Sequence, residues 1–179
     1  MNIVIWIIVF LVGLLGAGNG ARGAGDGVDH PCSSAAPGCA VPAPSWPRIT
    51  TNGVDGVIVP EQHVPELAPW GAPGPIEGVW TPSVGDIAPL EAQIEDYAKT
   101  SDSGAGNPPP ATLIDYKRQY AGILEGGERK IFVNGFCWTD GDSWTSQAYI
   151  VMDGGDCYFA AVFNVDRQEF ERFRFNGNA

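Results

Sequence analysis

The segment from residue 138 to residue 146 has the residue types best suited to ligand chemistry in this chain. It places Trp138 and Trp144 on either side of Asp140 and Asp142. Indole rings stack on the C–H faces of a sugar, while carboxylates accept hydrogen bonds from its hydroxyls. The pattern predicts ligand binding by these four residues, with a carbohydrate as the ligand class. A structural alternative stays open, in which the tryptophans cap the core and the aspartates form a turn.

Carboxylate pairs are the other residues that could do chemistry, as a general acid and a general base. They are Glu95 with Asp96, Glu125 with Glu128, and Asp140 with Asp142. A helix surface and hairpin turns explain the first two pairs without catalysis. Residues 79–179 contain no histidine, so a nucleophilic triad would need His63 to fold back onto this segment. We therefore predict no catalytic residue, and keep a carbohydrate-active enzyme that uses Asp140 or Asp142 as the alternative.

Two patterns resemble cofactor or metal motifs. Residues 18–23 match G-x-G-x-x-G, but the apolar run before them is too long for a strand and no helix follows, which argues against a dinucleotide site. Asp140 and Asp142 have the spacing of a calcium loop, yet the downstream Gly and Glu of an EF-hand are missing. Neither local cysteine spacing is C-x-x-C, which argues against zinc. We predict no cofactor and no metal.

Arg118 is a charged residue in a run of strand-forming residues, and it falls on the apolar side of the expected strand. An unpaired guanidinium in a core is very costly. The sequence thus predicts an ion pair between Arg118 and a carboxylate, buried or at an edge, that holds the helix to the sheet. Anion binding by Arg118 is the alternative.

The four cysteines, Cys32, Cys39, Cys137 and Cys157, predict two disulfides. An even number of cysteines in a chain bound for an oxidising compartment is typical of a disulfide framework. Three connectivities are possible. We expect Cys32 to pair with Cys39 and Cys137 with Cys157, because each pair lies within one segment of like character.

The N-terminal segment predicts export. Residues 3–15 are thirteen residues without a charge, and small residues follow as far as Ala21. This run is shorter than the roughly 18–20 residues of a membrane span, so we expect a cleaved signal peptide over residues 1–23. The mature chain would be periplasmic or secreted. The alternative is an uncleaved anchor in the cytoplasmic membrane, formed by residues 3–18.

Charge and size limit the partners. The chain has 179 residues and a formal net charge of -11. The length suits one domain with tails, and the negative charge repels phosphate backbones and anionic lipid headgroups. We therefore expect no nucleic-acid partner, and membrane contact only if the N-terminal segment is uncleaved. The expected partner is an envelope protein or glycan that the sequence does not identify.

Residues 24–78 are crowded with Gly, Pro and Ala, which predicts a disordered or extended linker arm. Within this arm, residues 53–59 could form a strand. Trp46, Trp70 and Trp80 are costly to leave in water. Part of the arm is therefore expected to wrap the domain.

One amphipathic helix is predicted from residue 86 to residue 99. Its apolar stripe is formed by Ile87, Leu90, Ile94 and Tyr97. Pro89 is compatible with this helix because it falls in the first turn.

From residue 116 onward the apolar residues alternate, which predicts strands. Two Gly-Gly pairs, at residues 126–127 and 154–155, lie between runs of strand formers and predict tight hairpins. In the first hairpin, Tyr120 would face Val133 on the core side. The solvent side would carry the polar residues Lys117, Gln119, Lys130 and Asn134.

The second hairpin would pair Met152 with Cys157, Ile150 with Phe159, and Ala148 with Ala161. A last strand is expected over residues 169–175. Residues 79–179 are thus predicted to form an α+β domain, in which one amphipathic helix packs on a five-stranded antiparallel meander sheet.

Several short motifs of this domain resemble an uncharacterised family of exported bacterial proteins. They are Trp80-Thr81-Pro82, Tyr116-Lys117-Arg118-Gln119-Tyr120-Ala121-Gly122, Ile131-Phe132-Val133-Asn134, Asp153-Gly154-Gly155 and Phe175-Asn176-Gly177. They correspond to the W-T-P, Y-x-R-Q-Y-x-G, V-N, D-G-G and F-N-G elements of that family. The resemblance implies the domain boundary and the exported compartment, and it implies no activity.

Together, export, small size, the expected disulfides and the missing histidine favour a non-catalytic binding or interaction module of the bacterial cell envelope. One alternative is a carbohydrate-binding or carbohydrate-active domain that uses residues 138–146. The other is a structural envelope protein anchored in the membrane.

Overall fold

The computed structural model describes residues 45–67, 74–101 and 112–177. All of them belong to one compact unit of the chain, Pro42–Ala179. The predicted signal peptide or anchor, the cysteines Cys32 and Cys39, and Trp70 lie outside the described residues. What the sequence predicts for them stays a prediction.

Within the described residues, seven strands form one mixed sheet. They are β1 (Arg48–Thr51), β2 (Val54–Ile58), β3 (Gly78–Trp80), β4 (Lys117–Glu125), β5 (Glu128–Phe136), β6 (Tyr158–Asn164) and β7 (Glu169–Phe175). Their order is β1-β2-β4-β5-β6-β7, and β3 also pairs with β4. Along one edge of β4, β2 runs parallel to residues 118–120 and β3 runs antiparallel to residues 122–124.

The α+β class is confirmed, but the five-stranded meander is wrong. Three strands come from residues 48–80, most of them assigned to the linker arm, and β2 makes a parallel pair with β4. Most residues of β4 are buried, so an unpaired edge on this strand would leave backbone N–H and C=O groups without partners. Strands β2 and β3 supply those partners, and β2 lies at the position that the sequence suggested.

The hairpin between β4 and β5 is confirmed. Gly126 and Gly127 have φ values of 63° and 75°, the left-handed conformation that a two-residue turn of this kind requires. Tyr120 is opposite Val133 and Gly122 is opposite Ile131, as the alternation predicts.

The prediction of a second hairpin around Gly154 and Gly155 is wrong. Strand β6 pairs with β5 directly, with Ala161 opposite Val133 and Phe159 opposite Gly135. This pairing buries Phe159 and Phe163 of β6 in the core, whereas Met152 of the predicted partner strand is 64% exposed. Gly154 and Gly155 lead instead into a 3₁₀ turn, Gly155–Cys157. The last strand, β7, has the predicted bounds and pairs with β6.

The single predicted helix is two helices, α2 (Val84–Glu91) and α3 (Ile94–Thr100). A shorter helix, α1 (Val64–Leu67), precedes them and follows a 3₁₀ turn, Glu61–His63. Ser83 and Asp86 form a capping box at the start of α2, which satisfies backbone N–H groups there. Pro89 is then inside the helix, where it has no N–H to donate to the preceding turn. Helix α2 ends at Glu91, within one turn of Pro89.

The sheet is covered on both faces. On one face, α2 and α3 contribute Ile87, Leu90 and Ile94 to a core that includes Tyr120 and Phe159. On the other face, a second core is formed by Trp46, Val57, Val64, Leu67, Phe132, Phe136 and Trp144. The predicted solvent side is therefore covered at its centre, and Gln119 and Lys130 are buried.

Candidate functional site

The predicted ligand-binding residues lie in the segment that follows β5, here called the 137–149 loop. A disulfide between Cys137 and Cys157 closes its base, with the Cα atoms 5.0 Å apart. The backbone N–H of Cys137 also donates to the carbonyl of Cys157 at 2.8 Å. This predicted disulfide is confirmed, and it fixes the start of the loop to the start of β6.

Two amide side chains, the buried Gln119 and the half-buried Asn134, hold the rest of the 137–149 loop against the sheet. Gln119 donates from Nε2 to the carbonyls of Trp144 and Gln147, both at 2.7 Å, and accepts from the backbone N–H of Tyr149 at 3.0 Å. Asn134 donates from Nδ2 to the carbonyl of Tyr149 at 2.7 Å. These residues were expected to face solvent. They instead form hydrogen bonds with the backbone of the loop, and a network of this kind makes a loop more rigid.

Trp144 is 2% exposed and caps the second core. Its ring makes an edge contact with Phe136, with the centroids 5.7 Å apart, and Arg48 lies 5.7 Å from its ring centroid. The next residue, Thr145, accepts a hydrogen bond from the N–H of Trp46 at 2.6 Å. Trp144 therefore caps the core, as in the structural alternative for this segment, and does not present its ring to a ligand.

Trp138 is placed very differently, because 61% of it is exposed. Asp140 and Asp142 are exposed on the same stretch. The carbonyl of Asp142 accepts from the N–H and the hydroxyl of Thr145, which forms the 3₁₀ turn Ser143–Thr145. The structure thus leaves Trp138, Asp140 and Asp142 on the surface of the 137–149 loop and removes Trp144 from it.

The other two carboxylate pairs are engaged in structural contacts. Glu95 accepts from the hydroxyl of Thr112 at 2.6 Å and from the N–H of Leu113 at 2.8 Å, and these bonds lower its pKa. Lys130 donates to Glu125 and to Glu171, at 2.9 and 2.8 Å.

Glu128 accepts from Nδ2 of Asn164 at 2.8 Å. Arg167 lies within ion-pair distance of Glu128, Glu169 and Glu171. These charges close the end of the second core beside the β4–β5 hairpin.

A second constellation, which the sequence predicted only in part, lies on the helix-covered face. Arg118 is fully buried and its Nε is 3.4 Å from Oε1 of Glu91, also buried. Arg118 donates to the carbonyl of Leu113 at 2.8 Å, and its guanidinium lies 4.8 Å from the ring centroid of Phe159. The predicted ion pair between helix and sheet is confirmed.

Tyr120 completes this group by donating its hydroxyl to Oε1 of Glu91 at 2.9 Å. Burial raises the pKa of Tyr120 far above its usual value, so the hydroxyl stays protonated. We call Glu91, Arg118 and Tyr120 the buried triad. The sequence did contain a signal for Glu91, because this acid is four residues after Ile87 and three before Ile94 on the apolar stripe.

The buried triad adjoins a cleft of about 250 Å³ between the helices and the chain around Leu113. Glu91 and Arg118 line it from within, and Glu95, Asp96 and Ile114 line it nearer the surface. We call it the helix cleft.

No protein-family model matches the chain, no curated protein is similar to it, and no solved structure matches it. Across residues 45–67, 74–101 and 112–177, no group of three or more His, Cys, Asp or Glu side chains is placed to hold a metal ion. Over the same ranges, no helix is both long and apolar enough to cross a membrane.

Proposed function

We propose that this protein is a non-catalytic binding module of the bacterial cell envelope, and that it binds carbohydrate through the exposed part of the 137–149 loop. The observation that carries the proposal is the exposure of Trp138 on a loop held by a disulfide and by the amide side chains of Gln119 and Asn134. A large apolar ring that the fold keeps in water on a fixed backbone is typical of a binding residue. Asp140 and Asp142 supply exposed acceptors for sugar hydroxyls on the same stretch.

A binding role is favoured over catalysis because the contacts of the other carboxylates are structural. Glu95, Glu125 and Glu128 each accept hydrogen bonds from neighbouring side chains. A catalytic pair on the loop would have to be Asp140 with Asp142, both exposed to water. General acids with raised pKa values are found in apolar pockets, which an exposed loop does not provide.

The compartment in this proposal is supported by the disulfide between Cys137 and Cys157, since such bonds persist in oxidising surroundings. Export by residues 1–23, and the resemblance to exported bacterial proteins, remain part of the same proposal. N-terminal sequencing of the protein recovered from the envelope tests it. A start near residue 24 indicates a cleaved signal peptide, and a start at Met1 indicates the anchored alternative.

Calorimetric titration with a panel of envelope oligosaccharides tests the ligand class. We expect saturable binding by at least one glycan, weakened at least roughly fivefold in Trp138→Ala through the loss of ring stacking. Met152→Ala is the matched control, because Met152 is equally exposed but lies outside the loop. Equal affinity in Trp138→Ala and the wild type would refute the site. Conversion of any glycan in the panel would refute the non-catalytic role.

A further inference from the structure

The disulfide between Cys137 and Cys157 lies at the surface of the described chain. Cys137 is exposed and Cys157 is half-buried, so a thiol in solution can reach the sulfur of Cys137. Exchange of a disulfide requires a thiolate to approach one of its two sulfurs, and exposed disulfides are for this reason the ones that exchange readily. The position of the bond therefore allows exchange while the domain stays folded.

Most of the 137–149 loop is held independently of the disulfide. Its distal part, residues 142–149, is bound to the amide side chains of Gln119 and Asn134 through backbone groups. The pairing of β5 with β6 extends to Phe136 and Tyr158, the residues next to the disulfide. Neither set of bonds involves a sulfur atom, so both remain in place when the disulfide is reduced.

The proximal part of the loop, residues 137–141, includes the exposed Trp138 and ends at a glycine. The backbone of Asp140 hydrogen-bonds the hydroxyl of Tyr149. Gly141 has a φ of 116°, and no atom lies within 4 Å of the position that a Cβ would take. A glycine with open space around it changes its backbone dihedrals at little cost. Gly141 is thus placed as a hinge, and the disulfide fixes the other end of the proximal part.

We propose that this disulfide is a reversible thiol–disulfide exchange site, at which a dithiol reductant releases the proximal part of the loop. One thiolate of the reductant attacks Sγ of Cys137, and the S–S bond breaks with its electron pair on Sγ of Cys157, which takes up a proton. The second thiolate of the reductant then attacks the reductant's own sulfur in the mixed disulfide. This step closes the disulfide of the oxidised reductant and releases Cys137, which is protonated to a thiol.

The effect of this reduction on ligand binding rests on the carbohydrate site proposed above. Trp138 directly follows Cys137, so its backbone is fixed in the oxidised protein by the bond at the preceding residue. In the reduced protein, glycan binding would have to order the ring and its backbone, which costs conformational entropy. Reduction is expected to weaken glycan binding at least roughly fivefold, and reoxidation to restore it.

Reduction of the native full chain by dithiothreitol at about 25 °C tests the exchange site. Alkylation and peptide mapping identify the reduced cysteines and separate this pair from Cys32 and Cys39. The rate should rise in proportion to the dithiothreitol concentration and change less than about twofold on adding about 1 M urea, because the folded chain reacts. Reduction that requires unfolding would accelerate at least roughly fivefold in that urea. Such an acceleration, or no reduction of this pair, would overturn the proposal.

NMR spectra of the ¹⁵N-labelled full chain locate the change. On reduction, the signals of Trp138 and Gly141 should shift or broaden, while the amides of Val133 and Ala161 on β5 and β6 keep their positions. The double variant Cys32→Ser with Cys39→Ser is the control and should respond to dithiothreitol as the wild type does. Unchanged Trp138 signals, or loss of the β5 and β6 signals together with them, would contradict a local release.

Glycan titration of the oxidised and reduced proteins tests the regulation separately. Equal affinity of the two forms would refute the regulation. Absence of binding by the oxidised protein would refute the carbohydrate site and with it the regulation, while the exchange site and the local release are decided by the thiol and NMR measurements.

Discussion

At the scale of single residues, Arg118 shows how a buried charge depends on the groups around it. Its guanidinium is compensated by Glu91, by the carbonyl of Leu113 and by the face of Phe159. Phe159 reaches this position across Gly135, where a Cβ would lie only 2.2 Å from the ring. The glycine therefore makes room for the aromatic ring that covers Arg118.

Removing Arg118 alone should be strongly destabilising. Arg118→Met leaves the carboxylate of Glu91 buried without its counter-charge, which typically costs about 3–5 kcal/mol of unfolding free energy. Replacing the whole buried triad, as Arg118→Met with Glu91→Leu and Tyr120→Phe, should recover most of that loss, because no polar end is then left unpaired. Urea denaturation of the two proteins measures the difference.

Lys99→Met is the control, since Lys99 forms an exposed pair with Asp96 at 3.3 Å. Its cost should stay below about 1 kcal/mol. If Arg118→Met were as mild as Lys99→Met, Arg118 would not be the compensated buried charge described above.

Asp55 gives the fold a dependence on acid pH. Hydrogen bonds from Arg48 and Lys117 outweigh the effect of burial and lower the pKa of Asp55 to about 2. An unfolded aspartate titrates near its usual value of about 3.9. The native state therefore holds fewer protons than the unfolded state between these two values, and stability falls as the pH drops from about 4 to about 2.

We expect Asp55→Asn to be less stable than the wild type at pH 7 and to lose part of this acid dependence. Melting temperatures from pH 7 to pH 2 provide the measurement, and the two curves should approach each other near pH 2. Asp115→Asn, which removes an exposed carboxylate on the neighbouring turn, should follow the wild-type curve. Parallel curves for Asp55→Asn and the wild type would show that Asp55 does not cause the effect.

At the scale of elements, the disulfide between Cys137 and Cys157 closes a sequence separation of 20 residues around the 137–149 loop. Closing a loop of this length restricts the unfolded chain and contributes about 3 kcal/mol. Reduction should lower the melting temperature by roughly 10 °C. Calorimetry with and without reductant measures this change.

The double variant Cys137→Ser with Cys157→Ser should already melt at the reduced temperature and change little on reduction. It should also weaken the glycan binding proposed for the loop, because the base of the loop is no longer fixed to β6. A melting temperature unaffected by reduction in the wild type would rule out this stabilising role.

The two Gly-Gly pairs explain which elements could be predicted. Around Gly126 and Gly127 the flanking strands alternate in step, so the local pattern and the long-range pairing agree. Around Gly154 and Gly155 the downstream strand also had β5 as a possible partner, and burial of Phe159 against that strand decided the pairing. A turn signal in the sequence does not show which of two possible strands the downstream strand will pair with. Pro89 is a similar case, since its effect depended on where the capping box started the helix.

At the scale of the whole molecule, the α+β class and the β4–β5 register followed from alternation and turn chemistry. The two-sided covering of the sheet did not, because Gln119 and Asn134 are polar and the sequence does not show that a distant loop supplies their partners. For the same reason the sequence proposed all four loop residues for binding, while the fold buries Trp144. The ion pair of Arg118 was predicted without its partner, because the place of Glu91 on the apolar stripe indicates burial but not which residue of the sheet lies beneath it.

The parallel pairing of β2 with β4 has a consequence for the order in which the molecule folds. It joins parts of the chain as far apart as Asp55 and Lys117, 62 residues along the sequence, whereas β4 and β5 are joined by a two-residue turn. Contacts so distant in sequence are slow to form because a long loop must close first, and we expect them to be among the first to open. We expect the amide of Val59, bonded to Tyr120 at 2.9 Å, to exchange with solvent through a partial opening that leaves the amides of β5 protected. The helix cleft is lined in part by Asn52 and Val54. It would therefore open and close together with the β2–β4 pairing, while the strands under the 137–149 loop stay folded.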